Sequence, residues 1–297
     1  SLHSDTQQNI KTLKKITCMK ELKDNIKILT IMTGINLLVL WNFISSGKTK
    51  HGIGYFVFFY IAIFIIHYFT KKLAPKIEIE VKEPKKELSI ATLFSILGLV
   101  FLALNFLQKS DIIQNIAVLK IPILLGMFLF SFPLGVFIYL LFRKYKILQL
   151  GLKLKPVTYL FLGVIIWGLT GIFAYLFNKS GIIWKEGLEE LGGISGIIIK
   201  GIIGAALVEE FSRFVIQSRF EKLFKTSGIN ILFATTIWAF MHFPVTYFKG
   251  VDSLNTTIYC IQIIPIGFIW GYLTHRTKSI LPATLVHGLN LWGFQNG

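Results

Sequence analysis

The chain has 297 residues, of which 54% are hydrophobic, and it carries 31 lysines and arginines against 15 acidic residues, a formal charge of +16. Soluble domains have about 45–50% apolar residues, so this composition excludes an ordinary soluble protein and indicates a surface that faces lipid. The basic residues cluster between apolar runs, where topology and contact with anionic lipid explain them, and we expect no nucleic-acid partner.

Apolar runs long enough to cross a bilayer recur along the whole chain. Because lipid offers no hydrogen-bond partners to the backbone, each run is predicted to be a helix. The predicted fold class is therefore all-α, a polytopic transmembrane helix bundle of about nine spans, with eight as the alternative count. The predicted spans are residues 28–44, 52–69, 90–107, 121–142, 156–177, 194–217, 229–247, 256–274 and 280–294.

Lysine and arginine alternate between the two sets of connections that these spans define. The set that includes the N-terminus holds 22 of them, and the other set holds seven. Since basic residues favour the cytoplasmic side, we expect an integral protein of a prokaryotic cell membrane with a cytoplasmic N-terminus. The first apolar run lacks a cleavage-site pattern and is predicted to be a signal anchor.

The chemically unusual residues all come after residue 150. We therefore predict three parts: a basic cytoplasmic tail at 1–27, an accessory bundle of about four helices at 28–149, and a core of about five helices at 150–297. Cys18 lies in the tail and Cys260 in a span. They indicate neither a disulfide framework nor a cysteine-based metal site.

Two adjacent carboxylates, Glu209 and Glu210, lie near the end of the sixth span, in the sequence Val-Glu-Glu-Phe-Ser-Arg. Each costs about 2.5–3.5 kcal/mol in a membrane helix, so the pair indicates a function. Arg213 is four residues from the first and three from the second and can pair with one of them. Because neighbouring helical residues point about 100° apart, the other carboxylate can face a cavity. The structural alternative is a polar clamp between helices.

Two later spans add histidines. The seventh reads Trp238-Ala-Phe-Met-His242-Phe-Pro, which places Trp238 on the face of His242, and Pro244 weakens the helix that follows. The ninth contains His287 and Asn290 on one helical face. Each pattern alone is typical of a hydrogen bond between membrane helices. Together with the carboxylates, the set predicts a hydrolytic site.

These segments resemble the three signature motifs of the CAAX protease and bacteriocin-processing family (CPBP, or Abi), which includes the type II CAAX prenyl endopeptidases. The family motifs are E-E-x-x-x-R, F-x-x-x-H and H-x-x-x-N/D on successive membrane helices. The matching residues are Glu209, Glu210 and Arg213, then Trp238 and His242, then His287 and Asn290. Arg213 and Asn290 each come one residue early, and Trp238 replaces Phe. The resemblance covers about residues 150–297.

The resemblance implies an intramembrane endopeptidase. The catalytic residues that it implies are Glu209, Glu210, His242, His287 and Asn290, with Arg213 and Trp238 in support. Two mechanisms stay open at this point. Either a glutamate activates water while the histidines and Asn290 stabilise the oxyanion, or His242, His287 and Glu210 bind a divalent metal such as zinc. We favour the metal-free version because the spacing lacks H-E-x-x-H, and no other cofactor is indicated.

The expected partners are a peptide or membrane-protein substrate and the lipid bilayer, and the oligomeric state stays open. The resemblance allows prenylated proteins, bacteriocin leaders, signal-type peptides or membrane regulators as substrates. The main alternative is a catalytically weakened family member that acts as a membrane scaffold or bacteriocin-immunity protein. An ion-coupled transporter is a third interpretation, which the lack of an inverted repeat disfavours.

Overall fold

A computed structural model describes residues 26–73, 79–109, 132–153, 157–178, 189, 192–224 and 227–290. Every regular element in these ranges is helical, which confirms the predicted all-α class. Among the described residues, five helical stretches are long and apolar enough to cross a membrane: Ile26–Ser45, Thr49–Lys71, Thr158–Phe177, Gly228–Phe248 and Ser253–Thr277. The fourth of them contains a one-residue turn at His242. The count of nine spans stays a prediction. Residues 1–25 of the predicted tail, 121–131 of the fourth span and 291–294 of the ninth lie outside the described ranges.

The helices are numbered here in chain order. They are α1 (Ile26–Ser45), α2 (Thr49–Leu73), α3 (Pro84–Lys109), α4 (Phe132–Phe142), α5 (Thr158–Asn178), α6 (Gly193–Gly196, Ile197–Leu207 and Val208–Phe224), α7 (Ser227–Met241), α8 (Phe243–Phe248), α9 (Ser253–Thr277) and α10 (Leu281–Asn290). The three parts of α6 follow one another without a break, and its middle part is π-helical. A 3₁₀ turn, Ile147–Leu150, lies between α4 and α5.

The buried apolar side chains form two clusters. One lies among α1, α2, α5, α7, α9 and α10 and includes Phe59 and Trp270. The other lies among α3, α4 and α6 and includes Leu140 and Phe214. Between membrane helices such contacts stabilise through van der Waals packing, because lipid is as apolar as the core. Since α2 packs on α5 and α9, and α3 packs on α6, the first half of the chain contacts the second directly. The boundary near residue 150 stays a prediction.

Two glycines allow α10 to lie very close to its neighbours. A Cβ added to Gly288 would lie 2.8 Å from the Cα of Ile202 in α6. A Cβ added to Gly163 of α5 would lie 2.7 Å from the carbonyl oxygen of Pro282 in α10. Any larger residue at these positions would push backbones apart, as at other small-residue contacts between membrane helices. The glycines therefore fix α10, which carries His287, between α5 and α6.

The π-helical stretch Ile197–Leu207 ends just before the paired carboxylates. Glycine and β-branched isoleucine, which recur in this stretch, have low α-helix propensity. π-helical turns are rare and are found mostly near functional sites. The predicted helix over 194–217 is therefore present, but residues 197–207 are π-helical and not α-helical. Glu209 and Glu210 lie in the first turn of the α-helical part that follows, Val208–Phe224.

Candidate active site

The seventh predicted span is interrupted at His242. Helix α7 ends at Met241, and α8 begins at Phe243 with Pro244 in its first turn. Pro244 has no N–H and cannot continue the hydrogen-bond ladder of α7, so the helix stops as Pro244 predicts. His242 Nδ1 lies 3.0 Å from the carbonyl oxygen of Trp238. Because a carbonyl only accepts, the neutral imidazole carries its proton on Nδ1 and its lone pair on Nε2.

Glu210 is buried, and both of its carboxylate oxygens are engaged. Oε2 accepts a hydrogen bond from Arg213, and Oε1 lies 3.0 Å from Nδ1 of His287. The Arg213 guanidinium also faces the rings of Trp238 and Trp270, at 5.7 and 5.8 Å from their centroids. Arg213 thus pairs with a motif glutamate although it comes one residue early, because positions three apart share a helical face.

Glu209 points away from Arg213 and keeps 30% of its side chain exposed. Its Oε2 accepts a 2.8 Å hydrogen bond from the indole N–H of Trp238. The same oxygen lies 3.5 Å from Nε2 of His242 and 3.7 Å from Nε2 of His287. Both distances are longer than a normal hydrogen bond, so the three atoms lie close together but are not directly bonded. Residues from α6, α10 and the break between α7 and α8 therefore meet in one place.

Trp270 of α9 belongs to the same cluster. Its ring stacks on the His287 imidazole with the centroids 3.9 Å apart and the planes at 18°. Trp238 meets His287 edge-on at 5.9 Å and His242 edge-on at 4.9 Å. The sequence carries no signal for Trp270, since a tryptophan in an apolar helix is as typical of packing or of a membrane interface as of a site.

Asn290 lies one turn after His287 on α10. The Thr170 hydroxyl of α5 donates a 2.9 Å hydrogen bond to its Oδ1. Asn290 is buried, and its Nδ2 has no hydrogen-bond partner among the described residues. Within the same ranges no hydrogen bond joins Asn290 to Glu209 or His242. Thr170 also lines a cavity of about 260 Å³ between α2, α5 and α9. The Asn290 amide N–H is therefore buried without an acceptor among the described residues.

The predicted metal set of His242, His287 and Glu210 does not converge. The two carboxylate oxygens of Glu210 already accept hydrogen bonds, one from Arg213 and one from Nδ1 of His287. His242 instead faces Glu209, whose nearest oxygen already accepts the indole N–H of Trp238. Among the described residues, no group of three or more His, Cys, Asp or Glu side chains is arranged to hold a metal ion.

Comparison with known proteins adds an independent finding. Residues 193–292, about a third of the chain, match the family model described as "Type II CAAX prenyl endopeptidase Rce1-like". No curated protein and no solved structure matches the chain. The matched region contains all three motif segments, from the paired glutamates to Asn290. It confirms the resemblance that the motifs indicate: residues 193–292 are similar to the type II CAAX prenyl endopeptidases.

Proposed function

We propose that the chain is an intramembrane endopeptidase in which Glu209 activates water for attack on a peptide carbonyl. One observation carries the proposal. Oε2 of Glu209 lies 3.5 Å from Nε2 of His242 and 3.7 Å from Nε2 of His287, although the three side chains come from separate helices. A carboxylate and two imidazoles that face each other inside an apolar bundle can together transfer protons.

Glu209 is the better base of the two glutamates. A general base needs a free lone pair and access to the water that it deprotonates. The Glu209 side chain is 30% exposed, whereas that of Glu210 is fully buried and is held by Arg213. Glu210 suits a different role, because its Oε1 accepts the Nδ1–H of His287 and thereby fixes the tautomer and the ring orientation.

The reaction proceeds through a tetrahedral intermediate. A water on the exposed side of Glu209 gives one proton to the carboxylate as its oxygen attacks the carbonyl carbon. Nε2 of His287 accepts a hydrogen bond from the other O–H of that water, and this hydrogen stays on the attacking oxygen. His242 donates to the oxyanion when its Nε2 is also protonated, and the Nδ2–H of Asn290 is the second donor. Glu209 then passes its proton to the leaving nitrogen as the C–N bond breaks, which restores the carboxylate.

We propose that this reaction is metal-free, with zinc assistance as the alternative. Zinc would be held by Glu209, His242 and His287, and Glu209 would have to release the indole N–H of Trp238. Metal analysis of the purified chain distinguishes the two versions. Activity that survives chelation, in protein with far less than one metal ion per chain, is the expected result. Stoichiometric metal whose removal abolishes activity would contradict it.

The substrate that we propose is a peptide anchored in the membrane by a lipid, with a prenylated cysteine peptide as the first to test. The name of the matching family describes prenyl endopeptidases. Cleavage is measured with the full chain in vesicles and a quenched fluorescent peptide that carries a farnesylated cysteine near its C-terminus. The wild-type chain should cleave it, and Glu209→Gln should lower the rate by about 10²–10⁴, the usual contribution of a general base.

Glu221→Gln is the matched control for this experiment. Glu221 lies on the same helix but contacts His275 and Lys278 at 3.6 and 3.7 Å, outside the site. It should leave the rate within about twofold of wild type, since Glu221 contacts His275 and Lys278 and none of the proposed catalytic side chains. Equal cleavage by wild type and Glu209→Gln would overturn the assignment of the base. A folded chain that is inactive on several membrane-anchored peptides would favour the scaffold alternative.

A further inference from the structure

A second cavity lies at the end of the bundle where α1 and α7 begin and α2 and α9 end. It has a volume of about 280 Å³, and we call it the basic-end cavity. Its polar wall consists of His67, Tyr272, His275 and Arg276. None of these residues belongs to the three motifs or contacts the catalytic side chains, so the cavity is separate from the proposed active site.

Arg276 is the charged group of this wall. Its Nε donates a 2.9 Å hydrogen bond to the Thr70 hydroxyl on α2. This bond orients the guanidinium, whose two terminal nitrogens have no hydrogen-bond partner among the described residues. Within the described residues Arg276 has no carboxylate partner, and the nearby Glu221 contacts His275 and Lys278 instead. A fixed guanidinium without a counter-ion favours an anion, and its planar fork fits phosphate oxygens in a bidentate manner.

The opposite wall of the cavity is apolar. Met32, Ile63 and Phe268 line it, and Met32 is completely buried. Leu29, which also lines the cavity, is 48% exposed on the outer surface of α1, so the cavity opens towards the lipid side of the bundle. A small soluble phosphate would leave this apolar wall without a contact, whereas an acyl chain would cover it.

We propose that the basic-end cavity binds an anionic phospholipid, with the headgroup phosphate on Arg276 and the start of an acyl chain against Met32 and Ile63. His67 and Tyr272, which are joined by a 3.0 Å hydrogen bond, line the polar wall beside the guanidinium. Basic pockets between membrane helices at a bilayer surface are typical sites for such lipids. The proposal does not depend on the proteolytic activity.

The test uses the full chain, freed of lipid in a neutral detergent. Native mass spectrometry and the midpoint of thermal unfolding are recorded with dioleoyl phosphatidylglycerol and with dioleoyl phosphatidylcholine. The phosphatidylglycerol should remain bound at one molecule per chain and raise the midpoint more than the phosphatidylcholine does. Arg276→Gln should weaken this selective binding at least about tenfold, as expected for the loss of a charge-assisted hydrogen bond. Arg276→Lys should restore part of it.

Two controls separate this site from general charge effects. Lys85→Gln removes an exposed lysine near the start of α3 and should keep the selective binding. Ile63→Trp fills the apolar part of the basic-end cavity and keeps Arg276, so the chain should no longer retain the lipid. This variant also tests the site if Arg276→Gln does not fold. Equal binding of both lipids, or Arg276→Gln behaving like Lys85→Gln, would overturn the proposal. So would an equal shift from water-soluble glycerol 3-phosphate, which would indicate a phosphate site without a lipid tail.

Discussion

Helix α6 carries two buried arginines that each pair with a glutamate, but only one pair lies in the candidate site. Arg213 pairs with Glu210 of the same helix, whereas Arg219 pairs with Glu87 of α3 at 3.0 Å. All four residues are 1% exposed. Burial and charge are therefore the same in both pairs, and the neighbouring groups make the difference.

Glu210 has His287 as its second partner, and Glu87 has Tyr145 at 2.7 Å. A histidine gains and loses a proton near neutral pH. Burial and the hydrogen bond to Glu87 raise the pKa of Tyr145 to about 12, so this phenol keeps its proton and donates it to Glu87 in a hydrogen bond. The Glu87 pair joins α3 to α6 without a group that can exchange protons. The two ion pairs thus differ in their third partner, which is a histidine beside Glu210 and a phenol beside Glu87.

Among variants of the two ion pairs, the largest effect is expected from Glu210→Gln. This variant leaves Arg213 as an unpaired buried charge, which costs about 3–5 kcal/mol of stability. It also replaces the carboxylate that fixes the tautomer and the orientation of the His287 ring. The rate should therefore fall at least about 100-fold in the molecules that stay folded. Peptide cleavage and thermal unfolding are measured on the same sample. A folded Glu210→Gln chain with wild-type activity would contradict the role given to the first pair.

Glu87→Gln is the counterpart in the second pair. It leaves Arg219 unpaired and should cost a similar amount of stability, about 3–5 kcal/mol. The cleavage rate per folded molecule should stay within about twofold of wild type, because no catalytic group contacts Glu87. A loss of activity as large as that of Glu210→Gln would mean that the two pairs act as one network.

Helix geometry explains why part of the site is predictable from sequence. The spacing of Glu209, Glu210 and Arg213 indicates that one glutamate pairs with the arginine and that the other faces elsewhere, and the structure has this arrangement. Pro244 likewise predicts the break after α7. These are local features, fixed by residues within one or two turns of a helix.

The remaining features depend on contacts between distant segments. The position of His287 beside Glu210 requires the close approach of α10 at Gly288 and Gly163, and nothing in the helical periodicity specifies these contacts. Glu87 precedes the predicted third span and would be assigned to its polar end, yet it is buried against Arg219. Trp270 has no motif partner in its own helix. Only the tertiary structure brings these side chains to their partners.

Trp270→Leu should lower the cleavage rate less than Glu210→Gln does. The flat indole holds the His287 ring at 3.9 Å, and an aromatic pair of this kind contributes about 0.5–1.5 kcal/mol beyond its buried area. Losing this restraint should lower kcat by about two- to tenfold and leave KM nearly unchanged. Trp270→Phe, which keeps a flat ring, should recover most of the rate. Equal losses in both variants would show that volume, not ring stacking, is what His287 requires.

The smallest effect is expected from Tyr145→Phe in the second pair. The Tyr145 hydroxyl donates to Glu87 and accepts a 2.6 Å hydrogen bond from the backbone N–H of Lys82. Its loss should cost about 1–2 kcal/mol, because Arg219 still holds Glu87.

Tyr139→Phe is the matched control for that variant, since the Tyr139 hydroxyl on α4 is buried without a hydrogen-bond partner among the described residues. This change should be neutral or slightly stabilising, because no bond is lost and a polar atom leaves an apolar site. Neither variant should alter the cleavage rate per folded molecule. If Tyr145→Phe slowed cleavage while Tyr139→Phe did not, the Glu87–Arg219 pair would have to act on the active site through α6. The expectation that only the Glu210–Arg213 pair affects cleavage would then be wrong.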